Sequence, residues 1–220
     1  MRRAATALAA AVLLHGTAVA PAAGSTVTEL VFERGLLAGL EAPARLHYRI
    51  ESRGKDAAEP SADEALMEVR AAAAAGEKEI WFDIPWGDAR RELGPVAASS
   101  QNPLVLVFLQ RDVNEMGRRT GGAPLYFQQQ IRMAFNVPAE AEAVTVQLDG
   151  HEIAATRVRI RPFRNDPNIA RFPGFRDKIY EFVVADGIPG GLYRIAATTP
   201  DPVTGELLLE KSMTFEGMER

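Results

Sequence analysis

The sequence predicts an α+β protein in which a pair of helices interrupts an antiparallel sheet of eight to ten strands. Short segments on both sides of mid-chain alternate apolar with polar residues, which is the pattern of a half-buried strand. Between residues 102 and 135 the apolar spacing changes to that of a helix. The order of strands, then helices, then strands is typical of an α+β fold.

The first strands form a meander of about four segments. The clearest alternation places Leu46, Tyr48 and Ile50 on one face and charged residues on the other. Residues 54–63 are polar and indicate a loop, and the alanines near residue 71 leave a helix open as an alternative to the second strand. The predicted strands cover residues 45–53, 66–73, 79–84 and 88–93, the last two joined by a turn at 85–87.

The middle of the chain predicts a helical hairpin over residues 103–135. Asn102 is a good N-cap and Pro103 suits the first helical position. Gly117 is expected to end the first helix, and residues 120–122 to form the turn before the second. The side chains expected to be buried are Leu106, Phe108, Leu109, Phe127 and Ile131.

The remainder of the chain predicts five more strands. Asp149-Gly150 is a strong signal for a two-residue hairpin turn between the first two. Residues 165–175 contain two prolines and a glycine and indicate a loop. The predicted strands cover residues 143–148, 152–162, 179–185, 192–198 and 206–215.

The N-terminus has the features of a secretory signal peptide over residues 1–24. Arg2 and Arg3 precede an apolar run over residues 4–14, which is too short to cross a bilayer, and a stretch of small residues follows. Cleavage before Pro21 would be unfavourable, so we expect the later of two small-residue sites to be used. These features predict export to the periplasm and a single mature domain over residues 25–220; a buried N-terminal helix is the alternative.

Composition excludes several classes of function. The net charge is −4, and loss of the two N-terminal arginines makes it −6, which argues against nucleic-acid binding. The absence of cysteine excludes disulfides, thiolate metal sites, a cysteine nucleophile and a lipid-modified N-terminal cysteine. No later apolar stretch approaches the roughly 20 residues of a membrane span.

No recognisable catalytic or metal motif is present. His47 and His151 lack the spacing of a metal-binding pair, and there is no nucleophile elbow, phosphate loop or dinucleotide fingerprint. Asp83 and Asp88 flank an aromatic turn and could act on a sugar, although two turn acids are the simpler interpretation. The sequence therefore favours a non-catalytic protein without metal or cofactor, and an enzyme remains a third alternative.

Two features point to a ligand. Arg157, Arg159 and Arg161 share one face of a strand about 7 Å apart and could hold anionic groups, or could pair with acids on neighbouring strands. The many aromatic residues could simply pack together, or could enclose an apolar cavity between a curved sheet and the helices. The candidate ligand-binding residues are Trp81, Phe82, Phe108, Phe127, Ile131, Arg157, Arg159 and Arg161.

This layout, with its leader, strand meander, helical segment at 102–135 and closing strands, resembles the LolA/LolB-like superfamily of periplasmic half-barrels. The resemblance implies a large curved sheet whose apolar concave face, lidded by helices, carries lipid or acyl chains. One type in that superfamily is anchored through a lipidated cysteine, so the absence of cysteine implies the soluble-carrier type. The resemblance is one of architecture and assigns no residue a role.

The sequence thus predicts an exported, non-catalytic carrier or binding protein for an apolar or lipid-like ligand in the cell envelope. The alternative is a structural or assembly protein of the envelope that docks another protein through its sheet edge or arginine row. A cavity above about 300 Å³ would favour the carrier. A filled core with a large exposed apolar patch would favour the docking protein.

Overall fold

A computed structural model describes residues 25–33, 37, 39–57, 61–74, 76–86, 89–98 and 102–220. The predicted signal peptide, its cleavage site and Asp88 lie outside these residues. Within them the chain forms one curved, half-barrel-like antiparallel sheet of nine strands with three α-helices. This confirms the predicted α+β class.

The sheet consists of two meanders joined side by side. Its strand order is β4-β3-β2-β1-β9-β8-β7-β6-β5, so the first strand pairs with the last and unites the two halves of the chain. Tyr48 of β1 lies opposite Phe215 of β9, and Ile50 lies opposite Met213. The strands are β1 Ala44–Arg53, β2 Ser61–Ala71, β3 Lys78–Trp86, β4 Ala89–Ala97, β5 Glu140–Leu148, β6 His151–Ile160, β7 Ile179–Val184, β8 Leu192–Pro200 and β9 Leu207–Glu219.

The alanine-containing segment is a strand and not a helix up to Ala71, because β2 pairs with β1 over residues 61–69 and with β3 over residues 66–71. It also begins earlier than predicted, at Ser61, so the loop before it is shorter. Pairing on both sides supplies backbone hydrogen bonds that outweigh the weak intrinsic preference of alanine for strands.

The helices are α1 Val27–Val31, α2 Pro103–Thr120 and α3 Pro124–Phe135. Helix α1 was not predicted from the sequence, because five residues are too few to show the apolar spacing of a helix. It has a capping box between Thr26 and Glu29. Gly117 does not end α2, which continues to Thr120 and terminates at Gly121 in the left-handed conformation. A Cβ at Gly117 would lie 3.0 Å from Cγ of Pro124, so glycine here permits close contact between the two helices.

The helices pack on one face of the sheet, here called the inner face, and the core lies between them. Phe127 of α3 is the centre of an aromatic cluster whose ring centroids are 5.2 Å from Phe172, 5.9 Å from Phe163 and 6.1 Å from Phe175. Together with Tyr126, these rings form a packed aromatic cluster around α3. Of the hairpin side chains expected to be buried, only Leu106 is exposed.

Candidate ligand-binding cleft

A cleft of about 860 Å³ opens between α2 and the inner face of the sheet. Its volume falls within the range of small-molecule binding sites, roughly 300–1,000 Å³. Strands β1 and β9 form most of its sheet side, and β2 and β3 contribute one residue each. The apolar residues that line it are Ile50, Ala57, Pro85, Phe108, Leu209 and Met213.

The strand and helix periods explain why these residues meet. Every second residue of β1 points inward, so Ile50 and Ser52 continue the inward row after Tyr48. In β9 the partners of Ile50 and Ser52 are Met213 and Lys211. The inward rows therefore change from apolar to polar toward this end of the sheet. On α2, residues spaced by three and four positions face the same strands; they are Phe108, Arg111, Asp112, Glu115, Arg118 and Arg119.

Ion pairs surround the cleft. The Lys211 ammonium group of β9 binds the Glu115 carboxylate of α2, and the Arg119 guanidinium lies 2.7 Å from the Asp56 carboxylate. Burial lowers the pKa of Arg111, while the nearby carboxylates of Asp63 and Glu115 oppose this shift. The Arg111 guanidinium stays charged at neutral pH because its ordinary pKa is so high. The cleft therefore contains a partly desolvated cation.

A buried charge network lies behind the cleft wall. Lys178 and Asp112 are only 2% and 5% exposed, and Lys178 Nζ lies 3.1 Å from Asp112 Oδ2. The Tyr180 hydroxyl donates to the same carboxylate at 2.5 Å, and Lys178 Nζ donates to Thr199 Oγ1 at 3.1 Å. Burial, followed by the Asp112 charge, raises the pKa of Tyr180 well above its ordinary value. The network links α2 to the β7 and β8 region through fully paired charges.

The cleft thus combines an apolar floor with a charged rim. Ile50, Phe108 and Met213 can cover an apolar chain, while Arg111 is partly buried and Arg118 is exposed. Among the described residues, no group of three His, Asp or Glu side chains could hold a metal ion. The arrangement suits an amphiphilic molecule.

Of the eight predicted ligand-binding residues, only Phe108 lines the cleft. Phe82, Phe127 and Ile131 are buried in the core, where other side chains fill the space around them. Trp81 points to the outer face of the sheet, where its indole N–H donates to Glu79 at 2.8 Å and the Arg70 guanidinium lies 4.9 Å from the ring centroid.

The predicted arginine row also lies on the outer face, not at the rim of the cleft. Arg157 and Arg159 both contact Glu142 and Glu181, with Arg159 Nε 2.9 Å from Glu181, and Arg161 pairs with Glu140. Val158 and Ile160 take the inward positions of β6 and are buried, which forces the arginines outward. The alternative interpretation, pairing with acids on neighbouring strands, is confirmed.

The cations that line the cleft were not predicted from the sequence. A signal was present in β9, whose inward row of Leu209, Met213 and Phe215 is interrupted by Lys211. A second was the spacing of Phe108, Arg111 and Glu115 along one side of α2. Neither signal shows that β1, β9 and α2 meet.

Comparisons with known proteins identify resemblance in fold only. No family model matches the sequence, and no curated protein matches it. Among solved structures, the lipoprotein LppX of Mycobacterium tuberculosis is 12% identical with a TM-score of 0.33, and the alignment covers 84% of this chain and 91% of LppX. A LolA-superfamily protein of Nitrosomonas europaea is 9% identical with a TM-score of 0.20, with 89% and 93% of the two chains covered. Neither match assigns a role to any residue of this chain.

Proposed function

We propose that the protein is a non-catalytic carrier or binding protein for an amphiphilic, lipid-like ligand. The observation that carries this proposal is the 860 Å³ cleft with its apolar floor and charged rim. Covering apolar surface stabilises a complex by about 25 cal/mol per Å² before the costs of association. A hydrocarbon chain laid along the cleft floor would therefore supply most of the affinity.

Two cations of the cleft lining offer a site for an anionic head group. Arg118 lines the cleft and is exposed, and no carboxylate among the described residues forms an ion pair with it. Arg111 is partly desolvated, which strengthens its interaction with an anion. An amphiphile whose hydrocarbon chain lies on the cleft floor would bring its carboxylate or phosphate head group near the Arg111 and Arg118 guanidinium groups.

Export to the periplasm forms part of the proposal and rests on residues 1–24. The exported protein should begin between Pro21 and Ser25. N-terminal sequencing of the periplasmic fraction tests this, and a protein that still begins at Met1 would contradict export through a cleaved signal.

Titration with an environment-sensitive apolar fluorophore, followed by competition with a fatty acid, tests the proposal directly. Ser52 lines the cleft on β1, so Ser52→Phe should fill it and weaken probe binding severalfold. Thr145→Phe adds the same bulk at an exposed position of β5, away from the cleft, and should leave binding unchanged. If the folded protein gives no fluorescence change at any concentration, the carrier proposal is wrong and the envelope-docking role becomes the better one.

A further inference from the structure

We infer that the outward face of the helical hairpin binds an anionic lipid surface. This rests on the proposed function, because a carrier must meet the membrane that supplies or receives its ligand. The hairpin face, as we call it, consists of Leu125, Met133 and Val137 together with Arg118 and Arg132. All five side chains are exposed, and Arg118 also lines the cleft.

The apolar side chains of the hairpin face are among the few large apolar side chains that are exposed in the described part of the chain. Leu125, Met133 and Val137 are 71%, 48% and 51% exposed. Leu125 and Met133 are two helical turns apart and lie on one side of α3, opposite the buried side formed by Phe127, Ile131 and Phe135. Of the five large apolar side chains that are exposed among the described residues, four belong to residues 106–137. The exposed apolar surface is thus concentrated on the helical hairpin.

The charge of the hairpin is opposite to that of the rest of the protein. Residues 103–137 contain four arginines and two acids, a net charge of +2. Because the whole chain carries −4, its other residues together carry −6. Both acids are engaged inside: Asp112 with Lys178 and Glu115 with Lys211. Helix α3 contains no acidic residue. Arg119 pairs with Asp56 and Arg111 lies near Asp63 and Glu115, so the outward charge is that of Arg118 and Arg132, which complements anionic lipid.

The geometry links the hairpin face to the cleft. Gly117 of α2 packs against Pro124, the first residue of α3, so the next residues in each helix, Arg118 and Leu125, lie at the same end of the hairpin. Arg118 also lines the cleft. Binding through the exposed side of α3 together with Arg118 would bring the cleft close to the lipid surface. No helix among the described residues is long and apolar enough to cross a membrane, and an interfacial mode of binding requires none.

Vesicle flotation tests the inference. The protein should float with vesicles of equimolar phosphatidylglycerol and phosphatidylcholine, less with phosphatidylcholine alone, and less as salt is added. An arginine near an anionic surface contributes about fivefold to the partition coefficient, so Arg118→Gln with Arg132→Gln should reduce binding about 25-fold. Leu125→Gln with Met133→Gln should also weaken flotation, while the melting temperature stays unchanged because both side chains are exposed.

The control removes the same charge elsewhere. Arg45 and Arg49 are 60% and 53% exposed on the outer face of β1, and Arg45→Gln with Arg49→Gln should float like the unchanged protein. Every variant keeps the same N-terminal segment, so differences between variants report on the hairpin face. Absence of flotation with anionic vesicles, or equal loss in the control pair, would overturn the inference.

The outcome is separable from that of the carrier proposal. Probe binding is measured without vesicles, so a Leu125→Gln, Met133→Gln variant that still binds the probe but no longer floats supports membrane docking by this face, since neither residue lines the cleft. Protein that binds the probe and never floats refutes the docking inference and leaves the carrier function intact. Protein that floats through the hairpin face without binding the probe refutes only the carrier function.

Discussion

The buried pair of Asp112 and Lys178 allows a quantitative test of how α2 is held on the sheet. Asp112→Asn preserves the size of the side chain but removes the charge that compensates Lys178, which is 2% exposed. Breaking a buried pair in this way costs about 3–5 kcal/mol, because the remaining charge is left without compensation. Since one domain is stabilised by only about 5–15 kcal/mol in total, the loss would be a large fraction of the stability.

Urea denaturation followed by circular dichroism measures the free energy of unfolding of the variant. For a chain of this length the expected loss corresponds to a melting temperature lower by about 10 °C. Arg119→Gln serves as the control, because it breaks an exposed pair with Asp56 whose removal should cost less than about 1 kcal/mol.

A compensated double variant separates charge from packing. Asp112→Leu combined with Lys178→Met replaces the pair by apolar side chains of similar size, and such replacements are often neutral or stabilising. The double variant should therefore recover part of the stability that Asp112→Asn loses; the remaining loss reflects the buried Tyr180 hydroxyl, which is left without its acceptor. If Asp112→Asn lowers the free energy of unfolding by less than about 1 kcal/mol, the ion pair between Asp112 and Lys178 does not hold α2 on the sheet.

Three further predictions concern the core, the tyrosines and the arginine row. Phe127→Ala should lower the free energy of unfolding, measured by urea denaturation, by about 3–5 kcal/mol because it empties the centre of the aromatic cluster. Phe108→Ala should lower it less, because the cleft already borders that ring. Equal losses for the two variants would refute this distinction. Burial raises the pKa of Tyr48 and of Tyr180, so folding keeps both neutral: their stabilising effect is complete below about pH 10 and is lost as pH rises toward their folded-state pKa values. Alkaline absorbance titration should show these two phenolates forming only with unfolding, and their appearance in folded protein would contradict this. Replacing Arg157, Arg159 and Arg161 by Gln should leave competition by anionic amphiphiles unchanged, because the three lie on the outer face; weaker competition would place the ligand on that face.

The local patterns in the sequence were sufficient for most of the secondary structure. The alternation of Leu46, Tyr48 and Ile50 predicted both the strand and its buried face. Asn102 predicted the start of α2, and its side chain does accept a hydrogen bond from the backbone N–H of Leu104 at 3.1 Å. These features depend on neighbours in the chain, and the period of a strand or helix is therefore visible in the sequence.

The site was predicted poorly because it depends on contacts between distant segments. The sequence correctly indicated that Phe127 and Phe108 face the interior, yet one lies in a filled core and the other borders the cleft. Both have the same local pattern. Their different surroundings arise from how tightly α2 and α3 pack on the strands beneath them.

The sequence by itself determined the class of fold, the inward and outward faces of the strands, and the lack of cysteine that excludes disulfides. Only the tertiary structure decided where the arginines of β6 find their partners and which cations face the cleft. The reason is physical: the order of strands and the packing of helices decide which charged side chains become neighbours. Glu181 lies beside Arg159 because β7 pairs with β6, and Lys211 faces Glu115 because α2 crosses β9.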